Sequence, residues 1–454
     1  LRPLHCVADE NEATTATGQE ALDLGLGGAD ARSHVLKAEI RRLADWAGDS
    51  PTGDQAELDW APSDQAWKTV SVGSDECPGK DRCRLGAQCF AEQARTQAAA
   101  ADVVVVNTHL YGLNVGAEGA ILPEHDVVVF DEAHVLEDVM SDTVGVQLAP
   151  GRFTAVAAAV RRILADAPIE AELAELVPAL RDALAPHAGE RLRNPFPEAI
   201  DGVLEDAEAR LGKASQVLAD LSVGDDDSKQ RLLRAQKMVT RSLEAVQAAR
   251  STTADQVPFV SGRPEFPMLE VAPLDVGPTL AAGVWGERTA ILTSATIPAR
   301  LADRVGLPPE RTTVDDVGSP FDYERQAVLY CALHLPRPNA PGFREGVADE
   351  LVNLIEAAGG RTLALFTSWA AMDDAVERVR DRIEYKVLTQ RDLPKPALVR
   401  AFAESAETCL FATTGLFQGV DVPGDTLSCV VIDKLPFPRP DDPLLSARRE
   451  RLKA

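Results

Sequence analysis

The sequence predicts an α/β protein built on parallel β-sheets and interrupted by a long helical segment. Two runs rich in β-branched residues, "ADVVVVNTHLYGL" from residue 101 and "HDVVVFDEAH" from residue 125, are typical of buried parallel strands. Later apolar runs alternate with helical patterns such as "AAMDDAVERVRDRI"; these runs are residues 288–297, 361–368, 408–415 and 427–435. Because parallel strands are joined by helical crossovers, the alternation predicts two α/β domains.

Between residue 152 and about residue 250 the pattern is helical. In two consecutive segments, apolar residues at alternating spacings of four and three form one seam along a helix. The first seam is Ile200, Leu204, Ala207, Leu211, Ala214, Leu218 and Leu221, and the second, after "GDDDSK", is Leu232, Ala235, Val239, Ser242, Val246 and Ala249. The two segments are predicted to form an antiparallel helical hairpin.

Length and composition limit the classes of protein that the chain can belong to. With 454 residues it exceeds what one hydrophobic core organises, so two to four domains are expected. No apolar run approaches a membrane span and no signal segment opens the chain, which starts at Leu1, so we expect a cytoplasmic protein. The net charge of −25 argues against coating nucleic acid through bulk positive charge, but leaves a local basic groove open.

Three of the seven cysteines, Cys77, Cys83 and Cys89, recur at six-residue intervals in "DECPGKDRCRLGAQCF". Clustered cysteines in a cytoplasmic protein are more often metal ligands than disulfides, and the polar, turn-rich residues 7–76 need such a staple. Thiolates suit both an iron-sulfur cluster and Zn²⁺, and the wide gaps favour iron because zinc sites more often use closely paired cysteines. The remaining cysteines in or beside apolar strands are predicted to be buried free thiols; they are Cys331, Cys409 and Cys429.

Two adjacent carboxylates, Asp131 and Glu132, end the apolar run that begins at residue 125. Ligands of open α/β sheets bind at the carboxyl ends of strands, where an aspartate suits Mg²⁺ bound to nucleotide phosphates. The neighbouring glutamate could then orient or deprotonate an attacking water. An acidic pair alone is more often a solvated loop or a helix N-terminus, whereas the tetrad Asp131 to His134 is more specific.

Five motifs occur in an order that resembles the iron-sulfur superfamily 2 DNA helicases of the DinG/XPD type, with the DinG-like branch the more similar. They are the DEAH tetrad at 131–134, "LTSAT" at 292–296, "ALFTS" at 364–368, "GLFQGVDVPG" at 415–424 (motif V) and "KLPFPRPDDP" at 434–443. The resemblance implies an α/β fold with two RecA-like parallel-sheet motor domains. It also implies an iron-sulfur insertion and a helical arch insertion in the first motor domain, and a chain truncated at both ends.

The resemblance divides the chain into five segments. They are an iron-sulfur cluster domain (1–95), the first motor domain with the DEAH box (96–150), the helical arch (151–262), the return of the first motor domain with the TSAT motif (263–318) and a C-terminally incomplete second motor domain (319–454).

The resemblance also implies roles for particular residues. Cys6 would join Cys77, Cys83 and Cys89 to bind a [4Fe-4S] cluster. Asp131 would hold the Mg²⁺ that accompanies ATP, Glu132 would serve the water, and His134, Ser294 and Thr296 would communicate between ATP and DNA. Gln418 and Asp421 would line the nucleotide cleft from the second motor domain. Possible DNA contacts are Lys80, Arg82, Arg84, Thr413 and Thr414, although Asp75, Glu76 and Asp81 largely offset the three cations.

The implied function is that of an ATP-dependent DNA helicase, moving 5′ to 3′ on single-stranded DNA in repair or replication. Its expected partners are ATP and single-stranded, forked or duplex DNA, and a monomer is expected. One alternative is a non-catalytic iron-sulfur or zinc protein that binds single-stranded nucleic acid or a partner. Another is a helicase fused to a nuclease, for which these residues offer no nuclease site.

The 454-residue chain by itself is predicted to have little or no ATPase activity. It contains no G-x-x-x-x-G-K-[ST] phosphate-binding loop, and the arginines of motif VI would follow "PDDP", beyond Ala454. These groups are the main electrostatic catalysts of phosphoryl transfer. The measurement is DNA-stimulated ATP hydrolysis by the purified chain with Mg²⁺. Hydrolysis that disappears in Glu132→Gln would contradict the prediction.

Overall fold

The computed structural model describes residues 29–453 except 74–76, 78, 84, 165–167, 339, 406, 419, 423, 438–440 and 452, so Cys6 and Arg84 lie outside the described residues. The strands are β1 (Val127–Phe130), β2 (Val146–Leu148), β3 (Gln256–Arg263), β4 (Phe266–Pro273), β5 (Thr289–Leu292), β6 (Thr362–Leu365), β7 (Lys386–Thr389), β8 (Thr408–Ala412) and β9 (Cys429–Ile432).

The helices are α1 (Ala29–Asp49), α2 (Asp64–Val70), α3 (Phe90–Ala100), α4 (Thr108–Gly116), α5 (Leu136–Val144), α6 (Gly151–Arg161), α7 (Pro168–Leu184), α8 (Glu198–Asp220), α9 (Asp226–Arg250), α10 (Gly277–Leu280), α11 (Leu301–Arg304), α12 (Tyr323–Gln326), α13 (Phe343–Ala358), α14 (Trp369–Val379), α15 (Lys395–Ala403) and α16 (Pro443–Arg451). None of the helices in the described residues is long and apolar enough to cross a membrane.

The described chain divides into two compact units. The first, here called the DEAH unit, comprises residues 70–314 and 439–454. The second, here called the four-strand unit, comprises residues 29–69 and 315–438. The predicted cluster domain, 1–95, is thus divided between the two units at residue 70, and the predicted second motor domain, 319–454, contributes its last helix, α16, to the DEAH unit.

A two-stranded parallel sheet of β1 and β5 is central to the DEAH unit. Val127 pairs with Thr289 at one end of the ladder, and Phe130 pairs with Leu292 at the other. The Phe130 ring packs edge-on against Tyr111, with ring centroids 5.1 Å apart. Its other neighbour is Trp285, at 6.0 Å. These aromatic contacts, together with the buried residues of α4 and α5, fix the sheet to its helices.

The strand predicted from residue 101 is absent. Residues 101–107 have no strand pairing, and the side chains of Val103 and Val105 are 80% and 92% exposed. The side chain of Asn107 instead accepts a hydrogen bond of 2.7 Å from the backbone N–H of Leu110 and so caps α4, which begins at Thr108. A β-branched run forms a strand only beside a neighbouring strand, and no described strand pairs with this segment.

The helical part of the DEAH unit contains α6 to α9 and an antiparallel sheet in the order β2-β4-β3. The predicted hairpin is confirmed as α8 and α9. Residues of both seams are buried, and Leu221, just past the end of α8, is half-buried. The sheet contributes Leu148, Val260 and Leu269 to the same core, so this body extends beyond the predicted arch boundaries of 151 and 262.

The four-strand unit is built on a parallel sheet in the order β7-β8-β6-β9. β6, β8 and β9 fall within the apolar runs predicted at 361–368, 408–415 and 427–435, whereas β7 lies outside every predicted run. All five residues of β8 are buried. One face of the sheet packs on α13 and α14, where Phe366 stacks on Phe411. The other face packs on α15 through Leu398 and Phe402. Helices on both faces are expected of a fully buried parallel sheet.

The three cysteines predicted to be buried differ in environment. Cys409 on β8 is fully buried, which raises the pKa of its thiol to about 11. Cys429 on β9 is half-buried, and burial raises its pKa as well. Cys331 is exposed, so the prediction of a buried thiol is wrong there. Residues 327–334 form no strand, and without strand pairing the apolar run around Cys331 is not drawn into the core.

Residues 29–69 bring two helices together around a small aromatic core. Trp46 of α1 and Trp67 of α2 lie with their ring centroids 6.5 Å apart, and Leu43 is fully buried. The Arg42 guanidinium lies 4.3 Å from the ring centroid of Trp60. Few residues are buried here, which agrees with the prediction of a segment with little core of its own.

Candidate active site

The DEAH tetrad and the TSAT motif meet at the carboxyl ends of β1 and β5. The ladder continues past both strands, because the backbone N–H of Thr293 donates to the carbonyl of Phe130 (2.8 Å). The backbone N–H of Ala133 then donates to the carbonyl of Thr293 (2.9 Å). Two segments that are distant in sequence are thereby held side by side by backbone hydrogen bonds.

Side chains of the two motifs are also hydrogen bonded to each other. The Thr293 hydroxyl donates to Asp131 Oδ1 at 3.0 Å. Ser294 Oγ lies 3.0 Å from His134 Nδ1 and 3.4 Å from Glu132 Oε2. His134 Nδ1 is in turn 3.2 Å from Glu132 Oε2, so these three side chains form a closed triangle. Ser294 Oγ is also within hydrogen-bond distance of the carbonyl and the N–H of Thr296.

Glu132 has a strained backbone. Its φ of 53° and ψ of 44° lie in the left-handed region, which a residue with a Cβ rarely adopts. The residue sits between β1 and the 3₁₀ turn Ala133–Val135 that leads into α5. Such strain persists only where the surrounding structure fixes it, and it is concentrated at functional sites. The turn directs the carboxylates of Asp131 and Glu132 to the surface, where both residues are exposed.

The exposed carboxylate of Asp131 is a suitable ligand for Mg²⁺, which prefers oxygen donors and binds proteins through one or two carboxylates. Its Oδ1 accepts hydrogen bonds from the Thr293 hydroxyl and from the backbone N–H of Glu132. These two donors fix the orientation of the carboxylate, so a cation bound there would meet a preorganised oxygen ligand.

The loop of motif V in the four-strand unit is held by two residues that the sequence analysis missed. The side-chain oxygen of Gln390 accepts from the N–H (2.8 Å) and the hydroxyl (2.9 Å) of Thr413, which is 4% exposed. Lys395 Nζ donates to the carbonyls of Gly415 (2.9 Å) and Gln418 (3.2 Å). Gln390 directly follows β7. Its place at the carboxyl end of a parallel strand, where binding loops of such sheets lie, is the one feature that could have indicated its role.

The predicted motif V contacts differ in exposure. Thr414, Gln418 and Asp421 are exposed, as ligand-contacting residues require, whereas Thr413 is buried. Its hydroxyl is bonded to Gln390, so Thr413 contributes to the shape of the loop rather than offering its hydroxyl at the surface.

The three cysteines of the described cluster segment, Cys77, Cys83 and Cys89, are free thiols, each half-buried. Thiolates are the correct donors for a cluster or for zinc. Nevertheless, no three His, Cys, Asp or Glu side chains of the described residues converge on a point where they could hold a metal ion. The thiols are therefore suitable donors for a metal, but the described residues do not by themselves form a complete set of ligands around one point.

A basic groove separates the cysteine segment from α9. The groove has a volume of about 270 Å³ and is lined by Arg82, Leu233, Gln236, Lys237, Thr240 and Arg241. Lys237 Nζ also donates to the carbonyl of Cys77 (2.7 Å), and the side-chain amide of Gln230 donates to the carbonyl of Arg82. Lys237 and Arg241 are not among the predicted DNA contacts, because single cations on a predicted helix form no recognisable motif. Of the predicted basic contacts, Arg82 lines this groove and Lys80 is exposed nearby in sequence.

Comparison with known proteins identifies the family. ATP-dependent DNA helicase YoaA of Escherichia coli is 32% identical over 455 residues, which cover 94% of this chain and 69% of that protein. The chain belongs to the DinG/YoaA family of helicases. ATP-dependent helicase DinG of Mycobacterium tuberculosis (strain ATCC 25618 / H37Rv) is 36% identical over 461 residues, covering 92% of this chain and 65% of that protein. The chain thus spans 65% of the length of the mycobacterial relative.

Two further comparisons concern the C-terminal part of the chain and the fold. The helicase C-terminal domain family matches residues 351–454. A solved XPD helicase superposes with a TM-score of 0.50 over 89% of this chain and 71% of that chain, at 18% sequence identity. At that identity the likeness concerns the fold alone, and it confirms the predicted mixed α/β architecture with parallel sheets.

Proposed function

We propose that this chain provides part of an ATP-dependent DNA helicase that moves 5′ to 3′ along single-stranded DNA. The observation that carries the proposal is the bonded network in which the DEAH acids meet Ser294 and Thr293 at the ends of β1 and β5. Such a network places candidate ligands for a nucleotide next to hydroxyl groups that can respond to it. The names of the curated relatives, both ATP-dependent helicases, support the same reaction.

In this proposal the residues of the network have distinct roles. Asp131, oriented by Thr293, would hold Mg²⁺, and bound Mg·ATP would supply the phosphoryl group and a charge that polarises it. Glu132 would orient or deprotonate the attacking water. His134 and Ser294 hold the Glu132 carboxylate between them, and Ser294 extends the network to Thr296. Gln418 and Asp421 would line the nucleotide cleft from motif V.

Single-stranded DNA would bind in the basic groove beside the arch. The chain carries a net charge of −25, so attraction of phosphates requires a local concentration of cations. Arg82, Lys237 and Arg241 supply three cations around one groove of suitable chemistry. Thr414, exposed in the motif V loop, is a second proposed DNA contact. The expected setting is repair or replication in the cytoplasm, with the protein acting as a monomer on single-stranded, forked or duplex DNA.

We further propose that Cys77, Cys83 and Cys89, together with Cys6, bind a [4Fe-4S] cluster. The proposal is supported by three free thiols within one short segment. Lys237 Nζ donates to the backbone carbonyl of one of them, Cys77. That hydrogen bond joins the ligand segment to α9. Loss of the ligation would therefore loosen one wall of the basic groove.

Unwinding is the test that separates a helicase from a non-catalytic binding protein. The gene product that contains this chain together with a P-loop and motif VI should unwind a duplex with a 5′ tail and not one with a 3′ tail. Glu132→Gln should lower the unwinding rate about 100-fold or more, because it removes the proposed general base, and should leave single-strand binding intact. The matched control is Glu124→Gln, an exposed acid ahead of β1. DNA binding without unwinding by the unsubstituted protein would instead identify a non-catalytic binder.

Binding of single-stranded DNA as a function of salt tests the basic groove. Lys237→Ala and Arg241→Ala should each weaken binding, and each should reduce the slope of log affinity against log salt by about one, because one phosphate contact is lost. Lys213→Ala is the control, since Lys213 lies on α8 and pairs with Glu172. The measurement is fluorescence anisotropy of a labelled oligonucleotide. Equal slopes for all the variants and the unsubstituted chain would show that DNA does not bind in the basic groove.

Metal analysis tests the cluster. Anaerobically purified chain should contain iron and acid-labile sulfide at about four each. Cys83→Ser and Cys89→Ser should lose them and should destabilise residues 1–95 without unfolding the four-strand sheet. Cys331→Ser is the control, because Cys331 is exposed and lies outside the cysteine segment. Zinc in place of iron, or iron retained in both ligand variants, would contradict the cluster assignment.

A further inference from the structure

The C-terminal helix α16 is anchored to the DEAH unit by one largely buried arginine. The side chain of Arg448 is 11% exposed, and its Nε lies 3.2 Å from Glu137 Oε1 on α5. Its Nη1 is 3.5 Å from Asp138 Oδ1, and its Nη2 donates to the hydroxyl of Ser141. Nε also donates to the carbonyl of Leu274 (3.3 Å). One guanidinium therefore contacts three positions on one helix and a loop carbonyl beside it.

The main partner of Arg448 is a buried carboxylate. Glu137 is 4% exposed, and it forms a second ion pair with Arg304 of α11. A carboxylate at that depth is stable only when paired, so loss of one cation leaves charge that the remaining partner must compensate alone. The position of Glu137 in the first turn of α5 also suits a negative charge, because the helix N-terminus is positive.

The Arg448 contacts lie on α5, the helix that follows the DEAH tetrad. Glu137 is on the helix that follows the DEAH tetrad, and Ser141 Oγ donates to the backbone carbonyl of Glu137 (2.7 Å). Glu132, ahead of this helix, has the strained left-handed backbone. The strained turn is held to the TSAT motif by the hydrogen bond from the backbone N–H of Ala133 to the carbonyl of Thr293. After the turn the chain enters α5, where Arg304 and Arg448 both pair with Glu137 in the first turn of the helix.

Other contacts of α16 are more exposed than the Arg448 contacts. Arg451 pairs with Asp275 at 3.3 Å, and Glu450 pairs with Arg191 at 2.7 Å, in each case with side chains that are substantially exposed. Exposed ion pairs contribute little to stability because water and salt screen them. Of the polar contacts described here for α16, that of Arg448 with Glu137 is the most buried.

We propose that Arg448 is a positioning residue for the DEAH acids. By docking α16 on α5 it fixes the start of that helix and, through it, the strained turn that presents Asp131 and Glu132. The chain runs from β9 through the "KLPFPRPDDP" segment into α16, so this docking connects the polypeptide that follows motif V to the DEAH turn through α5. The catalytic consequence rests on the proposed function, whereas the docking itself does not.

Hydrogen exchange of the 454-residue chain tests the docking. Arg448→Ala should speed exchange of the backbone amides of residues 132–141 by about tenfold or more, because a charge-assisted bond to a buried group is lost. Arg449→Ala is the matched control, a neighbouring arginine on the same helix whose side chain is exposed. Equal exchange in Arg448→Ala and Arg449→Ala would overturn the docking.

The kinetics of ATP hydrolysis test the positioning role, in the gene product that contains this chain together with a P-loop and motif VI. Arg448→Ala should lower kcat about tenfold with KM for ATP little changed, because the acids are displaced from the reacting water rather than from the bound nucleotide. Arg448→Lys, which keeps the charge and loses the fork, should recover part of the loss. Faster exchange with an unchanged kcat would overturn the positioning role. Faster exchange in the 454-residue chain, with no ATP hydrolysis by the unsubstituted gene product that also contains a P-loop and motif VI, would support the docking and refute the helicase function instead.

Discussion

Backbone pairing between β1 and β5 brings together two motifs that lie 160 residues apart in the chain. The ladder is only four pairs long, yet it extends through Thr293 to Ala133 and so aligns the turns that follow both strands. Parallel strands end at the same edge of a sheet, which makes the meeting of Asp131 with Thr293 a consequence of register. A shift of one residue would point the side chains of one strand to the opposite face and separate the two motifs. The aromatic contacts of Phe130 oppose such a shift.

Local patterns predicted those parts of the fold that neighbouring residues determine. The seams of α8 and α9 were readable because each helix buries one stripe against the other, and β8 was readable because every one of its side chains is buried. Val103 and Cys331 lie where local pattern and tertiary structure disagree. Both lie in apolar runs with strand propensity, and both are exposed, because a strand exists only where another strand supplies its hydrogen bonds.

Motif spacing predicted the candidate site only in part. The DEAH and TSAT residues were identifiable because each set forms a contiguous motif in the sequence. Their contact follows from the pairing of the two strands that precede them. Gln390, Lys237 and Arg448 have no such local signature. Each acts through a partner that tertiary structure alone brings near, such as Thr413, the carbonyl of Cys77 or Glu137. Single polar residues on helix surfaces or strand ends are too common for sequence to single them out.

The hydroxyl of Ser294 carries a single hydrogen atom. Three acceptors surround it: Glu132 Oε2, the carbonyl of Thr296 and, when the imidazole carries its hydrogen on Nε2, His134 Nδ1. A cation or water bound to the Glu132 carboxylate would compete for one of the three and leave the hydrogen to the other two. Occupancy of the acidic side would thereby change the hydrogen bonding of the serine toward the histidine and the TSAT backbone.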